Sequence, residues 1–302
     1  MTAVPPAAPA AGRPPPFARR PSRPVVNEAP PPRPRVAREL AGALPGLVRD
    51  LVASRTLLRT LVWRDLKARY QSSSLGYLWT LLNPLVLLLV YSWVFSVVLR
   101  VPVDDFPLYL ASGLLPWIWT ADSLTAGTVS ILANAGMVRR VSVPVEVLPV
   151  SAVLGSLAHF LLALPVLFGA LFLFGRGPSW ETLALPVVMG AHLCLLTGAV
   201  LITATLQVRF RDLALVLANL LLLLVFSAPI LYPLELVPPE HRPALLANPL
   251  TLLVEAYHDV LFRVAWPDWR GIVLPLWIVS LAVLWAGAAV ARRHRGSIVE
   301  DL

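Results

Sequence analysis

The sequence predicts an all-α polytopic membrane protein with six transmembrane helices and both termini in the cytoplasm. An amphipathic interface helix precedes the first span, and a re-entrant outer segment lies between spans five and six. Three observations carry this. Of 302 residues, 57% are hydrophobic and only 14% charged, too few charges to clothe a water-exposed domain of that size. The apolar residues gather in runs of roughly 20, enough to cross about 30 Å of hydrocarbon at about 1.5 Å per residue. The basic residues fall in short clusters between those runs, which is how a membrane protein sets its orientation.

Residues 1–50 are expected to form a disordered cytoplasmic arm. Pro14-Pro15-Pro16 and Pro30-Pro31-Pro32 stand among Ala and Arg, with no apolar core of the kind a signal peptide needs. Residues 51–76 read as the interface helix. Leu57, Leu58, Leu61, Val62, Leu66 and Tyr70 recur at three- and four-residue spacing, and Arg55, Arg59, Arg64, Lys67 and Arg69 supply a basic polar face. Residues 77–302 form the transmembrane domain, with spans at 77–99, 107–129, 145–174, 183–206, 213–234 and 272–291. The stretch 243–262 competes for a seventh. Asn248-Pro249, Glu255, His258 and Asp259 interrupt it, so it fits a re-entrant or interfacial segment better.

Charge sets the orientation. With the N-terminus inside, the inner flanks hold Arg55, Arg59, Arg64, Lys67, Arg69, Arg139, Arg140, Arg209, Arg211, Arg292, Arg293 and Arg295. The outer loops hold Arg100, Arg176, Arg242, Arg263 and Arg270, mixed with acids such as Asp104, Asp105, Glu235 and Asp268. The excess lies inside, as the positive-inside rule requires. The same clustering makes nucleic acid a poor account of the formal charge of +8, because no single helix face gathers it.

Several chemistries lack their residues. The lone lysine, Lys67, is followed by Ala68 and has no glycine loop before it, so this chain has no phosphate loop of its own. There is no Gly-x-Ser-x-Gly elbow and no His-Glu-x-x-His helix. A single cysteine, Cys194, makes neither an internal disulfide nor a cysteine metal site, and no metal ligands are assigned. Ion coupling would need ionisable groups at membrane depth, for which Asp122, His159 and His192 are the candidates.

The run from Trp63 to Leu85 contains Arg64-Asp65-Leu66-Lys67, then Leu75-Gly76-Tyr77-Leu78-Trp79, then Leu82-Asn83-Pro84. In order and spacing it resembles the start of ABC-2-type permeases that export lipid-linked polysaccharides such as O-antigen, teichoic acid and capsule. The resemblance continues through Phe106-Pro107, Gly113, Pro116-Trp117, Arg139-Arg140, Phe210-Arg211-Asp212 and Asn248-Pro249, covering residues 55–302. It implies a permease subunit of the plasma membrane, without catalytic residues or bound cofactor. Two copies of a separate P-loop ATPase would carry ATP and Mg, and a homodimer would enclose the pathway for a lipid-linked glycan. The implied ATPase-docking residues are Arg64, Asp65, Lys67, Arg69, Asn134, Arg139, Arg140, Arg209, Arg211 and Asp212.

Two further groups have roles that physics supports beside the resemblance. Pro84 removes a backbone donor inside the first span, and Asn83 supplies a polar group beside the break, so a kink is favoured there. Trp117 and Trp119 lie about 15–18 Å along the second span. With Tyr91, Trp93 and Phe95 they are candidates to line a channel and stack on sugar rings, the alternative being packing between helices. Asn248-Pro249 would mark the turn of an outer gate. A drug or small-lipid exporter of the same superfamily, and an ion-coupled carrier, are the competing readings.

Overall fold

In the computed structural model, which describes residues 42–71, 78–140, 143–177 and 179–302, every regular element is helical. α1 (Ala43–Ala53) and α2 (Arg55–Gln71) precede α3 (Leu78–Ser92), which runs on as a π-helical turn, Trp93–Val98. α4 (Phe106–Ala133) is followed by the short α5 (Ala135–Arg140), then α6 (Val147–Leu173) and α7 (Leu185–Arg209). α8 (Leu213–Leu224), α9 (Arg242–Leu246) and α10 (Pro249–Tyr257, extended by a π turn, His258–Phe262) lead to α11 (Leu274–Asp301).

Three helical stretches are long and apolar enough to cross a bilayer: Val147–Leu173, Trp180–Arg209 and Trp269–Ile298. α4 has 28 residues, about 42 Å at the helical rise, but carries Ser, Thr and Asp122 in its inner half. Leu85–Val98 and Leu213–Leu224 are shorter apolar helices.

Two sequence expectations change. The arm was expected to be disordered to residue 50, yet α1 occupies its end. Ala43 and Leu47 are buried with Val150, Leu201, Ala288 and Ala291, a tertiary anchor that composition does not reveal. Residues 1–41 lie outside the described residues. The fifth span, expected over 213–234, is helical for only 12 residues, about 18 Å. Pro229 and Pro233 prevent its continuation. Non-helical backbone packed among apolar helices needs protein partners, and it has them. The single proton of the Tyr109 hydroxyl is shared between the carbonyls of Pro229 (2.6 Å) and Tyr232 (2.9 Å), and Asn248 Nδ2 donates to the Ser227 carbonyl at 3.2 Å.

α7 and α11 form the closest crossing because glycines meet there. A Cβ on Gly198 would lie 2.4 Å from the Val283 carbonyl oxygen, and one on Gly287 would lie 2.3 Å from that of Gly198. Small residues of this kind let helix backbones touch in lipid, where dispersion rather than water exclusion drives association. α4 packs on α6 and α7 around Trp119, which is stacked on Phe160 with ring centroids 5.2 Å apart.

Candidate functional site

The face that the charge distribution predicts to lie inside, here the inner face, is built around the loop between α4 and α6. Asn134 ends α4, donating its Nδ2 to the Ser130 carbonyl at 2.8 Å. Its Oδ1 accepts from Arg64 Nη2 at 3.2 Å. Two sequence-predicted docking residues, 70 positions apart, thus join α2 to the inner loop. Arg139 and Arg140 stand exposed at the end of α5, as do Lys67, Arg209, Arg211 and Asp212 in their own segments. Asp65 instead turns toward α6, where a Cβ on Gly155 would fall 2.9 Å from its Oδ2. The side chain of Arg69 lies outside the described residues.

Two inner residues carry more than the sequence assigned them. Gln207 is buried, donates to the Arg211 carbonyl and accepts from the Ala214 amide, both at 2.8 Å, which fixes the second inner loop. Arg295, counted only for orientation, clamps both carboxylate oxygens of Glu146 (3.1 and 2.8 Å) and reaches Asp50 at 2.7 Å. Glu146 is 3% exposed. A buried carboxylate holds its charge only with such a partner.

At mid-depth the aromatic candidates separate. Tyr91, Phe95 and Trp117 join one cluster around Phe106 and Tyr109. Within it, Phe95 stacks on Phe106 at 5.8 Å. Trp93 is 59% exposed on the surface of the chain. Trp119 is 1% exposed and packed in the interior, its ring also 4.0 Å from His192. His192 has neighbours the sequence hid. Its Nε2 meets Thr120 Oγ1 at 2.9 Å and its Nδ1 meets the Tyr257 hydroxyl at 3.3 Å. Because Thr120 donates its proton to the Pro116 carbonyl, His192 Nε2 must donate and Nδ1 accept. That is a neutral, satisfied imidazole. Asn83 and Pro84 lie within α3, their side chains outside the described residues.

The opposite end, predicted from charge to lie outside and here the outer face, holds the cluster that sequence reasoning missed. Asn248 begins α10, its Oδ1 accepting from the Leu250 amide at 3.0 Å, with Pro249 at the first helical position. The pair thus sits at the turn between α9 and α10, where it caps α10. Along α10, Glu255 and His258 are buried at 4% and 0% exposure. Arg263 binds Glu255 Oε2 at 2.9 Å and Asp259 at 2.7 Å, and approaches Glu235 at 3.5 Å. Burial opposes the Arg263 charge, but Glu255 and Asp259 outweigh it and hold its pKa above the ordinary arginine value. Glu255 Oε1 and both ring nitrogens of His258 lack a hydrogen bond of good geometry, the polar neighbours of the ring being the Tyr109 backbone and that oxygen, 3.9 Å from His258 Nδ1. His258 packs on Tyr109 (4.1 Å between centroids) and sits in a notch at Gly113, where a Cβ would meet Nε2 at 2.7 Å.

The backbone is strained around the same place. Arg100, Asp105 and Val264 adopt φ of 51°, 53° and 50°, each costing about 1–3 kcal/mol in a non-glycine residue. Asp105 also binds Arg176 at 2.9 Å. The signal available in sequence was the set Glu255, His258, Asp259 and Arg263 at helical spacing, the first three read above only as an interruption to a span and the last only as an outer-loop charge.

Comparison with known proteins gives this scaffold its relatives. The model of the ABC-2 type transporter family matches residues 56–262. The chain is 37% identical over 258 residues to the O-antigen export system permease protein RfbA of Myxococcus xanthus, covering 85% of this chain and 99% of that protein. It is 34% identical to the RfbA permease of Klebsiella pneumoniae, over 68% of this chain and 79% of the relative. To the polysialic acid transport protein KpsM of Escherichia coli it is 27% identical, over 67% and 79%.

Proposed function

The chain belongs to the ABC-2 type transporter family, and from that premise we propose that it is the membrane subunit of an ATP-driven exporter of lipid-linked polysaccharide across the plasma membrane. One observation carries the reading to a glycan cargo: the similarity to an O-antigen export permease runs almost the full length of that relative.

The protein is a transport subunit, and hydrolysis would occur on a partner ATPase holding ATP and Mg. Two ATPase copies would dock on the exposed inner arginines Arg139, Arg140, Arg209 and Arg211, with Lys67 and Asp212 beside them. The bond from Arg64 to Asn134 would pass movement of the inner loop into α2. Six crossings with both termini inside fit the charge distribution, the short α8 being completed by the irregular stretch 225–233. A homodimer would enclose the pathway between copies, where exposed Trp93 and the cluster of Tyr91, Phe95 and Trp117 are placed to stack on sugar rings. Trp119 would serve packing of α4. A bend at Asn83-Pro84 and movement of the outer segment capped by Asn248-Pro249 would open the exit.

The experiment is deletion of the chain followed by analysis of the cell surface. Loss of a surface polysaccharide, restored by the intact chain and not by one carrying Arg139→Glu and Arg140→Glu, is the expected result. Unchanged surface glycan would overturn the cargo.

A further inference from the structure

We propose that the outer face carries a saccharide-binding subsite in the cavity bounded by Asp104, Arg176, Glu235, Phe262 and Arg263, with Tyr109 at its wall. The proposal rests on the reading of the cargo as polysaccharide.

The cavity is an open depression of about 520 Å³ and draws its walls from segments far apart in sequence: the loop before α4, the α6–α7 loop, the stretch after α8 and the end of the π turn. That volume lies within the range of about 300–1,000 Å³ usual for small-ligand sites. Its polar groups are held from behind. Arg176 is fixed by Asp105 and by the Phe262 carbonyl, both at 2.9 Å, and lies over the Phe262 ring at 4.6 Å. Arg263 spends Nη1 on Glu255 and Asp259, leaving Nη2 with only a 3.5 Å approach to Glu235. The cavity therefore offers guanidinium donors in fixed directions and two carboxylate acceptors, between the apolar surfaces of Phe262, Pro102 and Pro233.

Alternating donors and acceptors beside apolar faces match a sugar, which carries hydroxyls around its rim and C–H groups on its faces. The charges facing the cavity cancel, two arginines against Asp104 and Glu235. Asp105, Glu255 and Asp259 lie behind them, so a neutral sugar is favoured over an anionic one. Strained residues 105 and 264 flank the cavity, and the unpartnered atoms of Glu255 and His258 lie behind Arg263. Proteins keep costs of this kind where they serve a site.

The test uses exporting cells and their own glycan. A photo-crosslinking benzoylphenylalanine replaces Leu236, which lines the cavity, or Trp180, an exposed outer residue outside its lining. Irradiation is expected to attach polysaccharide at position 236 and not at 180. Asp104→Asn with Glu235→Gln is expected to cut the yield about tenfold at unchanged permease level, in keeping with loss of two charge-assisted hydrogen bonds. No adduct at 236, equal adducts at both positions, or a yield indifferent to the paired substitution would overturn the subsite. Deletion of the chain is scored first in the same strain. If surface polysaccharide survives deletion, the cargo reading fails instead, and the subsite falls with it.

Discussion

Each face of the molecule buries one glutamate against one arginine, and the two arrangements differ. At the inner face Glu146 gives both oxygens to Arg295, which also holds Asp50. At the outer face Glu255 gives one oxygen to Arg263, while its other oxygen goes unpaired beside His258, whose ring has only a weak contact with the Tyr109 backbone. The first is a completed strut joining α1, the start of α6 and the end of α11. The second is incomplete, beside strained backbone and a cavity. A fully satisfied buried pair rigidifies, whereas a half-satisfied one marks a place held ready for solvent, ligand or movement.

The largest effect that tests this contrast is expected from Arg295→Ala. It strands a buried carboxylate and should cost about 3–5 kcal/mol, read as a fall in thermal midpoint of the purified protein. Arg263→Ala should cost less, about 1–3 kcal/mol, because Glu255 is already half unpaired and lies beside an open cavity. Equal losses would make the outer cluster a strut as well.

Glycines give the next comparison. Gly113→Ala drives a Cβ to 2.7 Å from His258 Nε2 and 3.5 Å from the Ile230 Cα, and should cost about 1–3 kcal/mol by overpacking. Gly136→Ala on the inner loop meets open space inside a helix, and should stabilise by roughly 0.5–1 kcal/mol. Both can be ranked by thermal denaturation. A neutral Gly113→Ala would show that the notch is loose.

The outer cluster should also respond to pH. Burial first, then the Arg263 charge, push His258 down to about 3. Its contribution is therefore complete above the unfolded value near 6.5 and is lost as pH falls from there toward the folded value. Between pH 7.5 and 5.5 the loss is about 1.4 kcal/mol for one histidine. Burial raises Glu255, with Arg263 opposing, and that group works the other way, so the histidine figure is an upper bound. Thermal midpoints at the two pH values should converge in His258→Phe; an unchanged pH dependence would remove His258 from the account.

The smallest effect belongs to the inner loop. A double-mutant cycle of Arg64→Ala and Asn134→Ala should give a coupling of about 0.5–1.5 kcal/mol. Coupling near zero would leave α2 and the loop mechanically separate.

The difference between the faces also explains what was legible. The exposed arginines 139, 140, 209 and 211 could be picked out in sequence because exposed charge obeys a local rule, the placing of basic residues at the flanks of apolar helices. The long apolar helices were legible because each meets the bilayer on its own terms of length and hydropathy. α1 was missed since its Ala- and Pro-containing sequence forms a helix through contact with residues over 100 positions away. The early end of α8 was missed because irregular backbone there depends on Tyr109 and Asn248 from other segments.

Composition and periodicity thus determined the helical class and, through ordered motifs from Arg64 to Pro249, the family. Tertiary structure alone decided that Trp119 packs inward, that His192 is satisfied by Thr120 and Tyr257, and that Glu255, His258 and Arg263 gather beside a cavity. Hydropathy and charge flanks are properties a segment has in isolation. The partner of a buried polar atom is supplied by whatever the fold brings within about 3 Å of it.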